Sequence, residues 1–190
     1  MERRSESRRR RASLSDVQRA AAASALLTAV RPLARGRVAA YASSGTEPGT
    51  APLLTSLPEV LLPVLQPDGD LDWALYAGEL VEGLRGTLQP PGPLLGPDAI
   101  AGCTLVVVPA LGVDRAGTRL GRGGGSYDRA LARTRGYVVA ALHEGELRVS
   151  LPTEPHDRPV DAAVLPDRGL VRLRPHPYDG LGITPGTGET

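Results

Sequence analysis

The residues of this chain best suited to chemistry lie in one run, Pro109-Ala110-Leu111-Gly112-Val113-Asp114-Arg115-Ala116-Gly117-Thr118-Arg119-Leu120-Gly121-Arg122-Gly123-Gly124-Gly125-Ser126-Tyr127-Asp128-Arg129. Gly121, Gly123, Gly124 and Gly125 allow backbone N–H groups to approach an anion with no Cβ in the way. Arg119 and Arg122 add full charges and forked donors that match phosphate oxygens. Ser126 opens a helical pattern whose positive end faces the same point. The run reads as a polyphosphate cradle; the alternative is a flexible loop with ordinary arginines, because glycines alone are weak evidence. Its spacing is neither the dinucleotide fingerprint after a first strand nor Walker A, so NAD-binding and P-loop readings fall away.

Two carboxylates stand near the cradle. Asp128 directly follows it and reads either as a first-turn residue that favours the helix dipole or as a magnesium ligand, since that ion takes one or two carboxylates plus phosphates and water. Asp157 lies in the proline-broken segment Leu151-Pro152-Thr153-Glu154-Pro155-His156-Asp157-Arg158-Pro159-Val160-Asp161, which reads as a polar turn or a second acidic contributor. All 22 basic residues are arginine, which excludes a Schiff-base lysine. Phe is absent and only one Trp and five Tyr remain, so stacking of single-stranded nucleic acid has little to work with. Cys103 is the sole cysteine, which excludes an internal disulfide, and reads as a buried strand thiol. His143 and His156 lack the spacing of a zinc site, and His176 falls in the C-terminal tail. Glu144 and Glu146 read as surface residues near a strand end.

Other elements must hold these groups in place. With 190 residues and 41% hydrophobic content, the chain reads as one domain over 12–173 between two ragged ends. The first end, 1–11, is a basic arm carrying Arg3, Arg4, Arg8, Arg9, Arg10 and Arg11, against a net charge of only +1 for the whole chain. The second, 174–190, is rich in Gly and Pro and reads as disordered. No apolar run approaches the ~20 residues of a membrane helix. No apolar stretch follows the basic start, so the expected location is the cytoplasm.

Ser15-Asp16-Val17-Gln18 has the form of a capping box. It opens a helix over 16–30 with Val17, Ala20, Ala21, Ser24, Leu27 and Val30 on one face. A short helix is expected around Leu53, Leu54 and Leu57, and another from Ser126 to about Arg133. Strands are expected at 37–41, 60–65, 73–76, 104–108, 137–142 and 160–165, with 104–108 central and apolar on both faces. Residues 86–98 hold four prolines and read as a long loop. Strands that alternate with helices predict an α/β fold with a mainly parallel sheet.

The run Pro109 to Asp128 resembles the signature of the 5-formyltetrahydrofolate cyclo-ligase family, also called methenyltetrahydrofolate synthetases. Val38 to Tyr41 with Glu47 after it, Leu62-Pro63-Val64, and Leu151 to Asp161 match in the same order, so the resemblance covers roughly residues 12 to 166. It implies a three-layer α/β/α sandwich and an ATP- and magnesium-dependent conversion of 5-formyltetrahydrofolate to 5,10-methenyltetrahydrofolate, ADP and phosphate. It also implies that Arg119, Leu120, Gly121, Arg122, Gly123, Gly124, Gly125, Ser126 and Tyr127 wrap the ATP phosphates, with Arg119 and Arg122 catalytic. Asp128 and Asp157 would hold magnesium. Glu47 would bind the pteridine, and the stretch from Arg122 to Ser126 would share in facing the folate. Arg4 is the match to the family's N-terminal arginine, and the arm would fold onto the triphosphate. The implied state is a monomer or weak homo-oligomer, with neither nucleic acid nor membrane as partner.

Three departures stand out. The family's N-terminal lysine is absent, leaving Arg3 or Arg4 to substitute. Ser126 replaces the first tyrosine of the Tyr-Tyr-Asp triplet, and Gln89 stands where many members carry glutamate. These departures motivate a second reading, a non-catalytic folate or nucleotide binder. A third, nucleic-acid binding through Arg8 to Arg11, competes with a plain solvated tail.

Overall fold

The computed structural model describes residues 2–175. Helix α1 spans Glu2–Ala12 and α2 spans Asp16–Val30. Strand β1 (Val38–Ala39), helix α3 (Ala51–Ser56), and strands β2 (Val60–Leu65) and β3 (Leu71–Leu75) follow. A hairpin of β4 (Val81–Glu82) and β5 (Leu88–Gln89) precedes a 3-10 helix at Pro97–Gly102. Next come β6 (Leu105–Pro109), β7 (Gly112–Asp114), β8 (Arg119–Leu120) and helix α4 (Ser126–Leu131). Strands β9 (Tyr137–Ala141), β10 (Leu147–Arg148), β11 (Ala162–Leu165) and β12 (Gly169–Arg172) complete the described chain. The tail expected to be disordered lies outside the described residues from 176 onward.

Among the described residues the main sheet has seven strands in the order β12-β11-β9-β6-β1-β2-β3, with β6 at its centre. Strands β11, β9, β6, β1 and β2 run parallel, and β12 and β3 close the edges antiparallel. Side chains alternate across it, as period-two geometry requires. Ala39, Leu61, Val106, Val108, Val138, Ala140, Ala163 and Leu165 face the layer of α4 and the 3-10 helix. Val38, Val60, Leu62, Leu105, Val107, Val139 and Val164 face α2 and α3. The two cores make the expected three layers. Burial on both faces explains why the central strands read as continuous apolar runs.

The capping box of α2 forms as expected: the Gln18 N–H donates to Ser15 Oγ at 3.2 Å, and the Ser15 N–H donates to Gln18 Oε1 at 2.9 Å. The face it buries is only partly the expected one. Val30 is buried and Leu27 packs against the core as expected, but Ala22 and Leu26 also point inward while Val17 is 79% exposed, because an alanine-rich helix offers too little apolar contrast to set its phase. The proline-rich stretch 86–98 is not one loop. Its start is β5, paired with β4 across a turn in which Arg85 takes φ 57° and Gly86 φ 71°. Cys103 is buried as expected but caps the 3-10 helix rather than lying in a strand, and burial raises its thiol pKa to about 11.

Two regions called polar or ragged from sequence are structured. The basic arm is helix α1, which buries Ser7 and Arg11. Glu146, expected at the surface, is only 1% exposed because Arg11 pairs with it, Nε to Oε1 at 2.7 Å and Nη2 to Oε2 at 2.7 Å. Glu144 is exposed as expected.

Candidate functional site

The cradle begins where the central strand ends. Beyond the carboxyl end of β6, β7 and β8 join β10 in a small three-stranded sheet, ordered β10-β7-β8, and the glycine run 121–125 leads from it into α4. Asp114 holds it together: its Oδ1 accepts the N–H groups of Ala116 and Thr118, both at 2.9 Å, and its Oδ2 accepts the Leu151 N–H at 2.8 Å. One buried carboxylate thus closes the β7–β8 turn and ties it to the segment that carries Asp157. The Val160 N–H donates to the Gly117 carbonyl at 2.9 Å, a second tie to that segment.

Gly123 and Gly125 take φ 101° and 68°, conformations that residues with a Cβ rarely adopt, and Gly125 forms the N-cap of α4. Ser126 is the first residue of α4, and its hydroxyl donates to the Gly69 carbonyl at 2.6 Å. Arg133 donates to both oxygens of Asp70, at 3.0 and 2.6 Å, which holds the Asp70 carboxyl below its ordinary pKa. These bonds fasten α4, and the cradle with it, to the β2–β3 turn.

A cavity of about 810 Å³ opens over this surface, within the range of small-molecule sites. Arg119, Leu120, Gly121, Arg122, Gly123, Gly124, Gly125, Ser126, Tyr127 and Asp128 line it along the cradle. Glu47 lines it from the loop after β1, Arg4 from α1, and Asp157 from the segment tied by Asp114. Every residue that the sequence singles out for a site therefore borders one space.

The arginines there are strongly engaged. Arg119 Nη2 pairs with Asp128 Oδ1 at 3.0 Å, and its guanidinium lies 5.5 Å from the centroid of the Tyr127 ring. Its Nε is buried and has no hydrogen-bond partner among the described residues. Arg122 Nη2 reaches Glu47 Oε1 at 2.9 Å, which bridges the cradle to the loop after β1. The Ser44 N–H donates to Glu47 Oε2 at 2.9 Å and fixes that carboxylate in its loop. Arg4 Nε donates to the Gly121 carbonyl at 2.9 Å, so α1 already lies against the cradle. Burial, reinforced by Glu47, pushes the Tyr41 and Tyr127 phenols well above their ordinary pKa, so both stay neutral.

Sequence reading missed the support behind this wall. Arg11 also donates to the Ala110 carbonyl, just where β6 gives way to the cradle. Glu146 Oε2 accepts the His143 N–H at 2.8 Å, and His143 Nε2 lies 3.1 Å from the Thr46 carbonyl, next to Glu47. Burial lowers the His143 pKa, which favours neutral imidazole with Nε2 as donor. The only signal for α1 in the sequence is the helical spacing of Arg4, Ser7 and Arg11, and no hydrophobic pattern marks it.

The implied magnesium ion can be tested against these groups. Among the described residues no three or more His, Cys, Asp or Glu side chains cluster as a metal site. Asp128 gives Oδ1 to Arg119 and, at 3.4 Å, to the Arg158 N–H; Asp157 gives Oδ2 to the Glu154 N–H at 2.7 Å. Asp157 Oδ1 lies 4.0 Å from His156 Nε2, and both aspartates border the cavity. Two hard oxygen donors beside a phosphate cradle fit magnesium, which completes its shell with phosphates and water.

Comparisons with known proteins place the fold and the family. Residues 1–166 match the model of the 5-formyltetrahydrofolate cyclo-ligase family. The chain is 42% identical over 149 residues to a 5-formyltetrahydrofolate cyclo-ligase of Mycolicibacterium smegmatis, covering 72% of this chain and 77% of that protein. It is 32% identical over 142 residues to the 5-formyltetrahydrofolate cyclo-ligase of Escherichia coli, covering 69% and 78%. The solution structure of Aquifex aeolicus 5,10-methenyltetrahydrofolate synthetase superposes with a TM-score of 0.78 at 25% identity, covering 100% of this chain and 98% of that one. A Mycoplasma pneumoniae 5,10-methenyltetrahydrofolate synthetase shares the fold, with a TM-score of 0.65 at 16% identity over 85% and 94% of the two chains. A family match that takes in the cradle, the Glu47 loop and the Asp157 segment together shows that this chain belongs to the 5-formyltetrahydrofolate cyclo-ligase family.

Proposed function

We propose that the cavity holds ATP and 5-formyltetrahydrofolate side by side and closes the folate ring to 5,10-methenyltetrahydrofolate, releasing ADP and phosphate. The observation that carries this reading is the Arg122–Glu47 bridge, which joins the anion cradle to the carboxylate suited to a pteridine's paired N–H donors. In the reaction the formyl oxygen attacks the γ-phosphorus and the bond to ADP breaks. The folate's second nitrogen then attacks the activated carbon and loses its proton; the carbon–oxygen bond breaks and phosphate departs with that oxygen. The protein needs no nucleophile of its own for this, only alignment and charge stabilisation.

Each residue has a task in that scheme. The N–H groups of Gly121 to Ser126 cradle the phosphates, and the unpartnered Nε of Arg119 meets a phosphate oxygen. Arg122, 59% exposed at its side chain, is free to turn from Glu47 to the transferring phosphoryl group once the pteridine takes the carboxylate. Arg4 closes the phosphate end and stands in for the absent lysine. Asp128 and Asp157 would hold magnesium, which would neutralise phosphate charge when bound. The same reading places the protein in the cytoplasm as a monomer or weak homo-oligomer, without nucleic acid as a partner; in the described residues no helix is long and apolar enough to cross a membrane. The basic run favours docking over nucleic-acid binding, since Arg10 donates to the Glu144 and Gly145 carbonyls and Arg11 is buried.

Purified protein with ATP, magnesium and 5-formyltetrahydrofolate is expected to form the methenyl chromophore with one phosphate released per product. Binding of the folate without phosphate release would favour the non-catalytic binder instead. Asp128→Ala is expected to largely abolish turnover, and robust turnover by that variant would remove the metal role assigned to Asp128.

A further inference from the structure

The arginines that border the cavity sort into two groups. Arg3 donates to the Ser150 carbonyl at 2.9 Å, Arg4 to Gly121, Arg11 pairs with Glu146, Arg119 with Asp128 and Arg122 with Glu47. Arg85 also borders the cavity, yet has no hydrogen bond or ion pair among the described residues. It sits in the turn between β4 and β5, where it is the described non-glycine residue with a positive φ, at 57°. That conformation is rare for a side chain with a Cβ. The turn is nonetheless closed, with the Gly83 N–H donating to the Thr87 carbonyl at 2.7 Å and the Thr87 N–H to the Leu84 carbonyl at 3.2 Å. A well-formed turn thus presents an unpaired cation at the cavity's border.

Apart from Thr87, the cavity lining supplied by β2 and β5 between this turn and the Glu47 loop is apolar. Glu47 follows β1, β2 is the next strand in the sheet, and β5 packs against β2. Pro63 and Leu65 of β2 and Leu88 of β5 line the cavity there. The wall therefore runs from a carboxylate, past aliphatic side chains, to a guanidinium. A folate has the complementary order: a pteridine rich in N–H donors, an apolar aminobenzoyl ring, and a glutamate that ends in two carboxylates.

We propose that Arg85 receives a carboxylate of the folate's glutamate tail, which makes the β4–β5 turn the element that distinguishes folates with a tail from truncated pteroates. The inference rests on the ring-closing reading above and adds a specificity determinant to it. Arg85→Asn tests it, since Asn removes the charge while tolerating the left-handed backbone. With 5-formyltetrahydrofolate, the variant is expected to raise the folate KM about five- to tenfold, the scale of one partly exposed charge-assisted hydrogen bond. The KM for ATP should not change. With 5-formyltetrahydropteroate, which lacks the glutamate, parent and variant should have the same KM. An equal KM increase for both folates, no increase for either, or an increase in the ATP KM would overturn the assignment. Titration calorimetry of the two folates against parent and variant makes the same comparison without turnover. A parent protein that binds folate but forms no methenyl product would therefore sink the catalytic reading and leave the Arg85 question answered on its own.

Discussion

Helices α1 and α2 follow one another in the chain and bury opposite kinds of surface. Helix α2 turns Ala22, Leu26 and Val30 into the layer beneath the sheet. Helix α1 turns Ser7 and Arg11 inward, and Arg11 meets Glu146, also nearly fully buried. The first is held by removal of apolar area from water, which asks for no particular partner. The second is held by a charge pair and a carbonyl, and is favourable only where both are in place. Gly145 belongs to the same arrangement. At φ 69° it leaves room for the Arg10 guanidinium, which a Cβ there would meet. The helix that depends on named partners is the one that borders the cavity, through Arg3, Arg4 and Arg11. Docking by charge ties the position of α1 to the cradle itself, whereas α2 merely supports the sheet.

The sharpest way to break this contrast is Glu146→Ala. It leaves Arg11 without its partner, and loss of one member of a buried pair costs roughly 3–5 kcal/mol. Denaturant unfolding should show that loss, and limited trypsin digestion should cleave at Arg8 to Arg11, where the parent resists. A higher ATP KM is expected to accompany it. Leu26→Ala is the matching change in α2, with an expected cost of about 2–5 kcal/mol for a fully buried leucine. It should lower stability in the same unfolding assay but leave α1 resistant to trypsin and the ATP KM unchanged. If Leu26→Ala also frees α1, the two helices are not held independently.

Two smaller effects sharpen the comparison. Ser15→Ala removes the cap of α2 and should cost about 1 kcal/mol, with no effect on trypsin sites in α1. The last concerns pH. His143 is held below its ordinary pKa chiefly by burial, so the unfolded chain takes up its proton at a higher pH than the folded one. Its neutral form therefore supports the fold above about pH 6.5, and that support is lost as pH falls through the folded pKa. Stability measured from pH 7.5 down to 5 should decline less in His143→Gln than in the parent.

Local features were legible from the residues themselves. The capping box at Ser15 and Gln18, the central strand at Leu105–Pro109 and the glycine–arginine run after it all appear where their sequence places them. Each depends on neighbours a few positions away. The antiparallel edge β12, the hairpin at β4 and β5 and the small sheet under the cradle were not legible, because their strands are short and carry no clean alternation. The phase of α2 was only partly legible for a related reason, since alanines on every side hide its inward face. Glu146 was misread for a different one. A carboxylate after a strand normally meets water, and only its distant partner Arg11 makes burial favourable.

For the site, composition already determined that an anion could be held: glycines that free backbone donors, arginines that carry charge, and an aspartate at the start of a helix are properties of one continuous segment. Only the folded molecule decided that Glu47, Arg4, Arg85 and Asp157 share a cavity with that segment. Contacts within a turn or two are written in adjacent residues, because the chain cannot avoid them. Contacts between remote segments depend on which strands adjoin and which buried charges find each other, and that choice is made by the packing of the whole chain.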